Sequence, residues 1–218
     1  MESRFEIREG GSVFCLASRK GKELLYDFTK ILVYLDAKGK ILFGKNFRIY
    51  EEDQSLLYLL SNYFIKDEEK CKKMGLDIQK GLLISGPVGC GKTSIMKLLP
   101  HIVPFERKYE MIPTRNVSFS FNHIGYKAIE DYGNSGIFCF DDLGIEPLGR
   151  FFGQDCNVMG EVLLSRYEIF LKHKIRTYGT TNLDSEQIEE RYGARVRSRM
   201  RGMFNLIYFD EKTQDKRK

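Results

Sequence analysis

Histidine and cysteine are too few and too scattered for the chemistry they usually signal. The three histidines are isolated, and Cys15, Cys71, Cys90, Cys139 and Cys156 never fall at C-x-x-C spacing. Neither a zinc module nor a disulfide framework is indicated. Long apolar runs are also missing: none approaches the ~20 residues needed to span a bilayer. Met1-Glu2-Ser3-Arg4 opens without the apolar segment of a secretion signal, so the expected location is the cytoplasm. Charge of one sign is not concentrated either. A formal net charge of +5 is a mild pointer to an anionic partner and no more. What remains is a 218-residue chain long enough for one α/β domain with a modest extension.

One stretch organises that chain. Gly86, Pro87, Val88, Gly89, Cys90, Gly91, Lys92 and Thr93 fill G-x-x-x-x-G-K-[ST], the phosphate-binding loop pattern. Glycines let the backbone curl so that successive N–H groups face phosphate oxygens. Lys92 is placed to reach the β- and γ-phosphates, and the Thr93 hydroxyl to ligate magnesium. A chance glycine turn would lack context, whereas here the apolar run 81–85 predicts a buried strand before the loop. Residues 94–99 predict a helix behind it, stopped by Pro100. The helix N-terminus then faces the same anion. Cys90 inside the loop reads as a tolerated spacer, and Cys139 as a core residue.

Four apolar residues, Ile137 to Phe140, run into Asp141 and Asp142. A buried strand delivering acids at its C-terminal end, about 45 residues after the loop, reads as a magnesium carboxylate (Asp141) followed by a water-orienting one (Asp142). The stretch 175–181 predicts another strand, ending in Thr180, Thr181 and Asn182. Asn182 is a candidate contact for γ-phosphate or the attacking water, with a plain turn asparagine as the alternative. The stretch 157–171 predicts a helix whose apolar stripe contains Arg166. A buried arginine calls for an anionic partner, either a carboxylate or a bound phosphate. Five arginines fall between 191 and 201. Read as one helix, Arg191, Arg195 and Arg199 line one face at i, i+4 spacing, with Arg197 and Arg201 opposite. One line could address a neighbour's phosphate and the other a nucleic-acid backbone.

The first 50 residues carry no motif. They predict a helix over 22–35, a turn at 38–40 and short extended pieces at 41–43 and 47–50. A helix at 54–64 and a charged turn at 66–73 follow. Beyond the phosphate loop, a short strand at 110–113 precedes a helix from about 116, broken near Gly125 and resumed through Asp131. The expected organisation is an extension over 1–50, a candidate partner-binding segment; an ATPase domain over 51–210; and a basic tail over 211–218, expected to be disordered.

Taken together, the phosphate loop, Asp141 to Gly144 with Glu146, Thr180 to Asn182, and the run Arg191 to Met200 resemble the DnaC/IstB-like AAA+ ATPases. The resemblance covers roughly residues 75–210. It implies an AAA+ P-loop NTPase with a five-stranded parallel sheet in the order 5-1-4-3-2 and no C-terminal lid. It implies ATP hydrolysis with magnesium at a subunit interface, in DNA replication. By position it makes Lys92 and Thr93 Walker A, Asp141 and Asp142 Walker B, Asn182 sensor 1, and Arg199 the arginine finger with Arg195 beside it. The implied partners are a second copy of the chain, DNA (single-stranded favoured), and a replicative helicase or a transposase. Loading a helicase is the leading expectation. A duplex-DNA helper of a transposase and a nucleotide-dependent binding switch with negligible turnover are the alternatives.

Overall fold

The computed structural model describes residues 6–21, 23–210, 213, 215 and 216. The chain divides into two compact units, one of residues 1–78 with 94–107, the other of 79–93 with 108–218. Lys22 and tail residues 211, 212, 214, 217 and 218, on which two of the expectations fall, lie outside the described residues.

In the first unit, β1 (Glu6–Glu9) pairs antiparallel with β2 (Ser12–Cys15), and β3 (Ala17–Lys20) with β4 (Glu23–Tyr26). Helix α1 (Phe28–Phe43) is capped by the Asp27 carboxylate, which accepts from the Lys30 N–H at 3.2 Å. The helix expected over 22–35 therefore starts later, and it continues through the expected turn at 38–40. Gly39 sits mid-helix because the Phe47 ring needs its space: a Cβ there would lie 2.1 Å from a ring carbon. A packing demand, rather than a chain reversal, accounts for that glycine. Helix α2 (Gln54–Phe64) falls where expected. The charged stretch after it contains a further helix, α3 (Glu68–Lys73), started by Asp67, which accepts from the Lys70 N–H.

The second unit holds the parallel sheet. Its strands are β5 (Gly81–Ser85), β6 (Glu110–Pro113), β7 (Phe138–Leu143), β10 (Tyr178–Thr181) and β11 (Phe204–Tyr208), lying side by side in the order β11-β5-β10-β7-β6. Every pairing is parallel. All five residues of β5 are buried, as a strand with a neighbour on each side requires. The glycine loop runs directly into helix α4 (Lys92–Leu98), of which residues 94–98 are counted with the first unit. Helices α5 (Thr114–Ile124) and α6 (Tyr126–Gly133) are separated at Gly125, whose φ of +59° suits glycine. A short hairpin, β8 (Gly149–Phe151) and β9 (Gln154–Cys156), leads to α7 (Val158–His173), capped by Asn157. Val117, Phe121, Phe140, Val162, Leu163 and Met200 lie in one apolar core around the sheet. Cys139 is fully buried, and all five cysteines are free thiols.

The arginine-rich run is not one helix. Helix α8 (Ser185–Tyr192), started by a capping box between Asp184 and Gln187, ends at Gly193, whose φ is +87°. Helix α9 (Ala194–Met203) then begins anew. The expected line Arg191–Arg195–Arg199 is broken at its first member, because glycine at 193 lets the backbone turn where other residues would be strained.

Arg166 of α7 corrects a second expectation. Its guanidinium is fully buried, yet no carboxylate or phosphate is needed to hold it. Its Nε donates to Thr177 Oγ1 at 2.8 Å, and its Nη atoms donate to the carbonyls of Ser135 (2.7 Å), Gly136 (3.3 Å) and Arg176 (3.2 Å). The Phe138 ring covers it at 5.4 Å. Carbonyl dipoles on the segments leading into β7 and β10 do the work assigned to an anion. Burial pulls its pKa down to about 10.

Candidate functional site

The candidate site lies at the C-terminal ends of β5, β7 and β10, where open parallel sheets hold ligands. It is contained in the second unit. Gly86, Gly89 and Gly91 all take positive φ (159°, 81° and 104°), the curl that the loop pattern demands. Lys92 is 5% exposed, with its ammonium drawn back into the loop. It donates to the carbonyls of Gly86 (2.8 Å) and Pro87 (2.7 Å) and to Asn182 Oδ1 (2.7 Å). Burial pushes its pKa down, against the upward pull of Cys90, Asp142 and Asp141. Cys90 is buried, with Sγ 3.7 Å from the ammonium. At the rim, the Lys216 N–H donates to the Gly89 carbonyl at 3.1 Å.

The Thr93 hydroxyl donates to Asp141 Oδ1 at 2.8 Å. Thr180, fully buried, donates to the same oxygen at 2.6 Å and accepts from the Asp142 N–H at 2.9 Å. Asp142 has φ +59°, uncommon for a residue with a side chain and stabilised here from both sides. Besides the Thr180 bond, its carbonyl accepts from Thr114 Oγ1 at 2.8 Å. Lys92, Thr93, Asp141, Asp142 and Asn182, singled out in separate segments, thus meet in one place. Thr114 and Thr180 join them. Thr180 stood inside a recognised block but carried no assignment, because a buried threonine hydroxyl has no sequence pattern of its own.

Thr93 and Asp141 offer two oxygen donors side by side, a set that suits a hard cation keeping several of its waters. Among the described residues no group of three or more His, Cys, Asp or Glu could hold a metal. A magnesium ion there would lean on bound phosphates and water.

Arg195 and Arg199 do not join this cluster. Both are exposed on α9, and the Arg199 guanidinium lies 4.8 Å from the centre of the Tyr167 ring. Arg197 is paired with Glu189 of α8, so it is engaged within the chain. Arg191 turns inward to Glu146. Among the described residues no helix is long and apolar enough to cross a membrane.

A parallel five-stranded sheet with a glycine loop after its first strand, acids on its third and an asparagine after its fourth is an AAA+ type P-loop NTPase fold. A solved protein described as a primosome component, from Streptococcus pyogenes serotype M3, has this architecture at TM-score 0.54. It is 16% identical, over 76% of this chain and 83% of its own. DnaI is similar at TM-score 0.53 and 17% identity, over 76% and 89%. Both are of the DnaC/IstB-like kind that the motifs resemble, and at such identities the likeness establishes the fold. A curated relative, the ATP-dependent zinc metalloprotease FtsH of Staphylococcus haemolyticus (strain JCSC1435), is 36% identical over 69 residues. That stretch is 32% of this chain and 9% of the protease, so the chain spans under a tenth of that relative's length. No family model matches the chain.

Proposed function

We propose that this chain is an ATP-hydrolysing AAA+ protein of DNA replication that loads or remodels a replicative helicase. The carrying observation is the convergence of Lys92, Thr93, Asp141 and Asn182 from three strand ends, with Thr93 and Asp141 bonded at 2.8 Å. In this reading the backbone of Gly86 to Gly91 cradles the triphosphate, and Lys92 exchanges its carbonyl partners for β- and γ-phosphate oxygens. Thr93 and Asp141 would hold magnesium, which when bound would supply positive charge beside the phosphates. Asp142 orients the attacking water, and Asn182 contacts the γ-phosphate. Arg199 is absent from its own chain's cluster and exposed. That fits a finger supplied in trans to a neighbour, with Arg195 beside it. Such a finger is worth about 10³-fold or more in rate.

The helicase-loading role rests on the motif resemblance and on the likeness to a primosome component. DNA, single-stranded by preference, is the proposed activator. The test is magnesium-dependent ATPase activity measured against protein concentration, with single-stranded and with duplex DNA. Specific activity should rise with concentration and rise further with single strands. An Arg199→Ala chain should bind ATP and fail to turn it over. Stimulation by duplex alone would turn the reading to a transposase helper, and no turnover under any condition would leave a binding switch. Unchanged hydrolysis by Arg199→Ala would remove the finger assignment.

A further inference from the structure

The loop after the paired aspartates and the last turn of α8, which leads into the helix with the exposed arginines, are joined by one buried carboxylate. Glu146 is 4% exposed. Its carboxylate accepts from the Gly144 N–H at 2.8 Å, from the Tyr192 hydroxyl at 2.7 Å and from the Arg191 guanidinium at 3.4 Å. The same guanidinium donates to the Glu146 carbonyl at 2.6 Å. A buried carboxylate is costly unless its oxygens are satisfied, and here every donor comes from the loop or from the last turn of α8. Burial, reinforced by the carboxylate, pushes the Tyr192 phenol well above its ordinary value, so it stays a donor.

We propose that Glu146 is a positioning residue that fixes the direction of α9, and with it the aim of Arg199 at a neighbouring chain. This rests on the trans-acting reading of Arg199 given above. The argument is geometric. Arg191 and Tyr192 are the last residues before Gly193, the bend from which α9 departs. Arg191 is held at both ends, since its carbonyl accepts from Asn157 Nδ2 at 2.9 Å. The Arg197 N–H then donates to the Gly193 carbonyl at 3.1 Å, so the first turn of α9 starts from this anchored point. Arg199 lies six residues beyond Gly193, roughly 9 Å along the helix at ~1.5 Å per residue. An error of about 10° at the bend would displace it by roughly 1.5 Å, and misplacement on that scale costs about 10²-fold in rate. Farther along, α9 is held by Val196, Met200 and Met203 in the core, by the Arg197–Glu189 pair and by the Tyr167 ring beside Arg199; the Glu146 anchor sets the point from which that packing starts.

A purely structural staple would lower stability. A positioning residue must alter what the chain does for its neighbour. Mixing variants separates the two. Arg199→Ala chains keep a pocket and lack a finger; Lys92→Ala chains lack a working pocket and keep a finger. Turnover in the mixture therefore reports fingers donated by the Lys92→Ala chains. Adding Glu146→Gln to that donor should cut the restored turnover by about tenfold or more, at equal assembly by sedimentation and with a melting temperature near that of the parent donor. Adding Tyr192→Phe, which keeps the ring and removes one donor, should cut it by a few-fold, and it decides the matter should Glu146→Gln not fold. Full restoration by either folded donor overturns the role of Glu146. No restoration even by the plain Lys92→Ala donor overturns instead the trans reading on which it rests.

Discussion

Two buried cations, Lys92 and Arg166, are held largely by backbone carbonyls, and they behave as opposites. Lys92 lies at the C-terminal ends of the parallel strands, on a loop of glycines, with Asp141, Asp142 and Asn182 nearby. Arg166 serves the segments leading into β7 and β10 and is bonded to Thr177 and three carbonyls, with burial the cause of its lowered pKa. Its partners belong to chain segments that cannot leave without opening the sheet. On the proposed reading, the partners of Lys92 are exchanged for phosphate oxygens. A buried cation marks a ligand site when its neighbours are replaceable and acids stand ready beside it, and a structural peg when they are not.

The largest effect should come from Lys92→Ala. Affinity for a fluorescent ATP analogue should fall by about 100-fold or more, since charge-assisted contacts to a triphosphate are lost together, while the melting temperature moves little. A large loss of melting temperature would break the contrast with Arg166. Arg166→Leu should do the reverse. Removing the donor strands several buried carbonyls, at a cost of about 3 kcal/mol, or roughly 6–12 °C in melting temperature for a chain of this size. The molecules still folded should bind nucleotide normally in the same titration. Next comes Thr180→Val, which keeps shape and removes the hydroxyl between Asp141 and Asp142. Turnover should drop about tenfold, equivalent to ~1.4 kcal/mol, with nucleotide affinity within a few-fold, as steady-state kinetics against binding would separate. Lys127→Ala sets the baseline. Its exposed pairings with Glu130 and Asp131 should leave melting and binding unchanged within error.

The sheet, and the segments that converge on the candidate site, were legible where chemistry restricts residue type. Apolar runs gave the strands, and phosphate binding constrains Gly86 to Thr93 closely enough to identify the loop. The break at Gly125 showed because helix periodicity stopped there. The arginine run misled, since i, i+4 spacing continues formally through Gly193 while the backbone does not. Arg166 misled because the sequence shows a charge on an apolar stripe and cannot show that carbonyls from residues 135, 136 and 176 converge on it. Residues 22–43 misled through a glycine read as a turn when its absent side chain makes room for Phe47. For Arg166 the missing information is a set of partners from other segments; for Gly39 and Gly193 it is the use to which an absent side chain is put.

The bonds that Lys92 makes to its own loop bear on the cycle of binding and release. Gly86, Pro87 and Asn182 give the ammonium three hydrogen-bond acceptors within the chain, all of them neutral. On the proposed reading, an incoming triphosphate competes with contacts that lie within the chain itself. The strength of nucleotide binding at such a loop is then a difference between two sets of oxygen contacts to one ammonium, and trimming Asn182, the one side chain among its oxygen partners, should shift that difference.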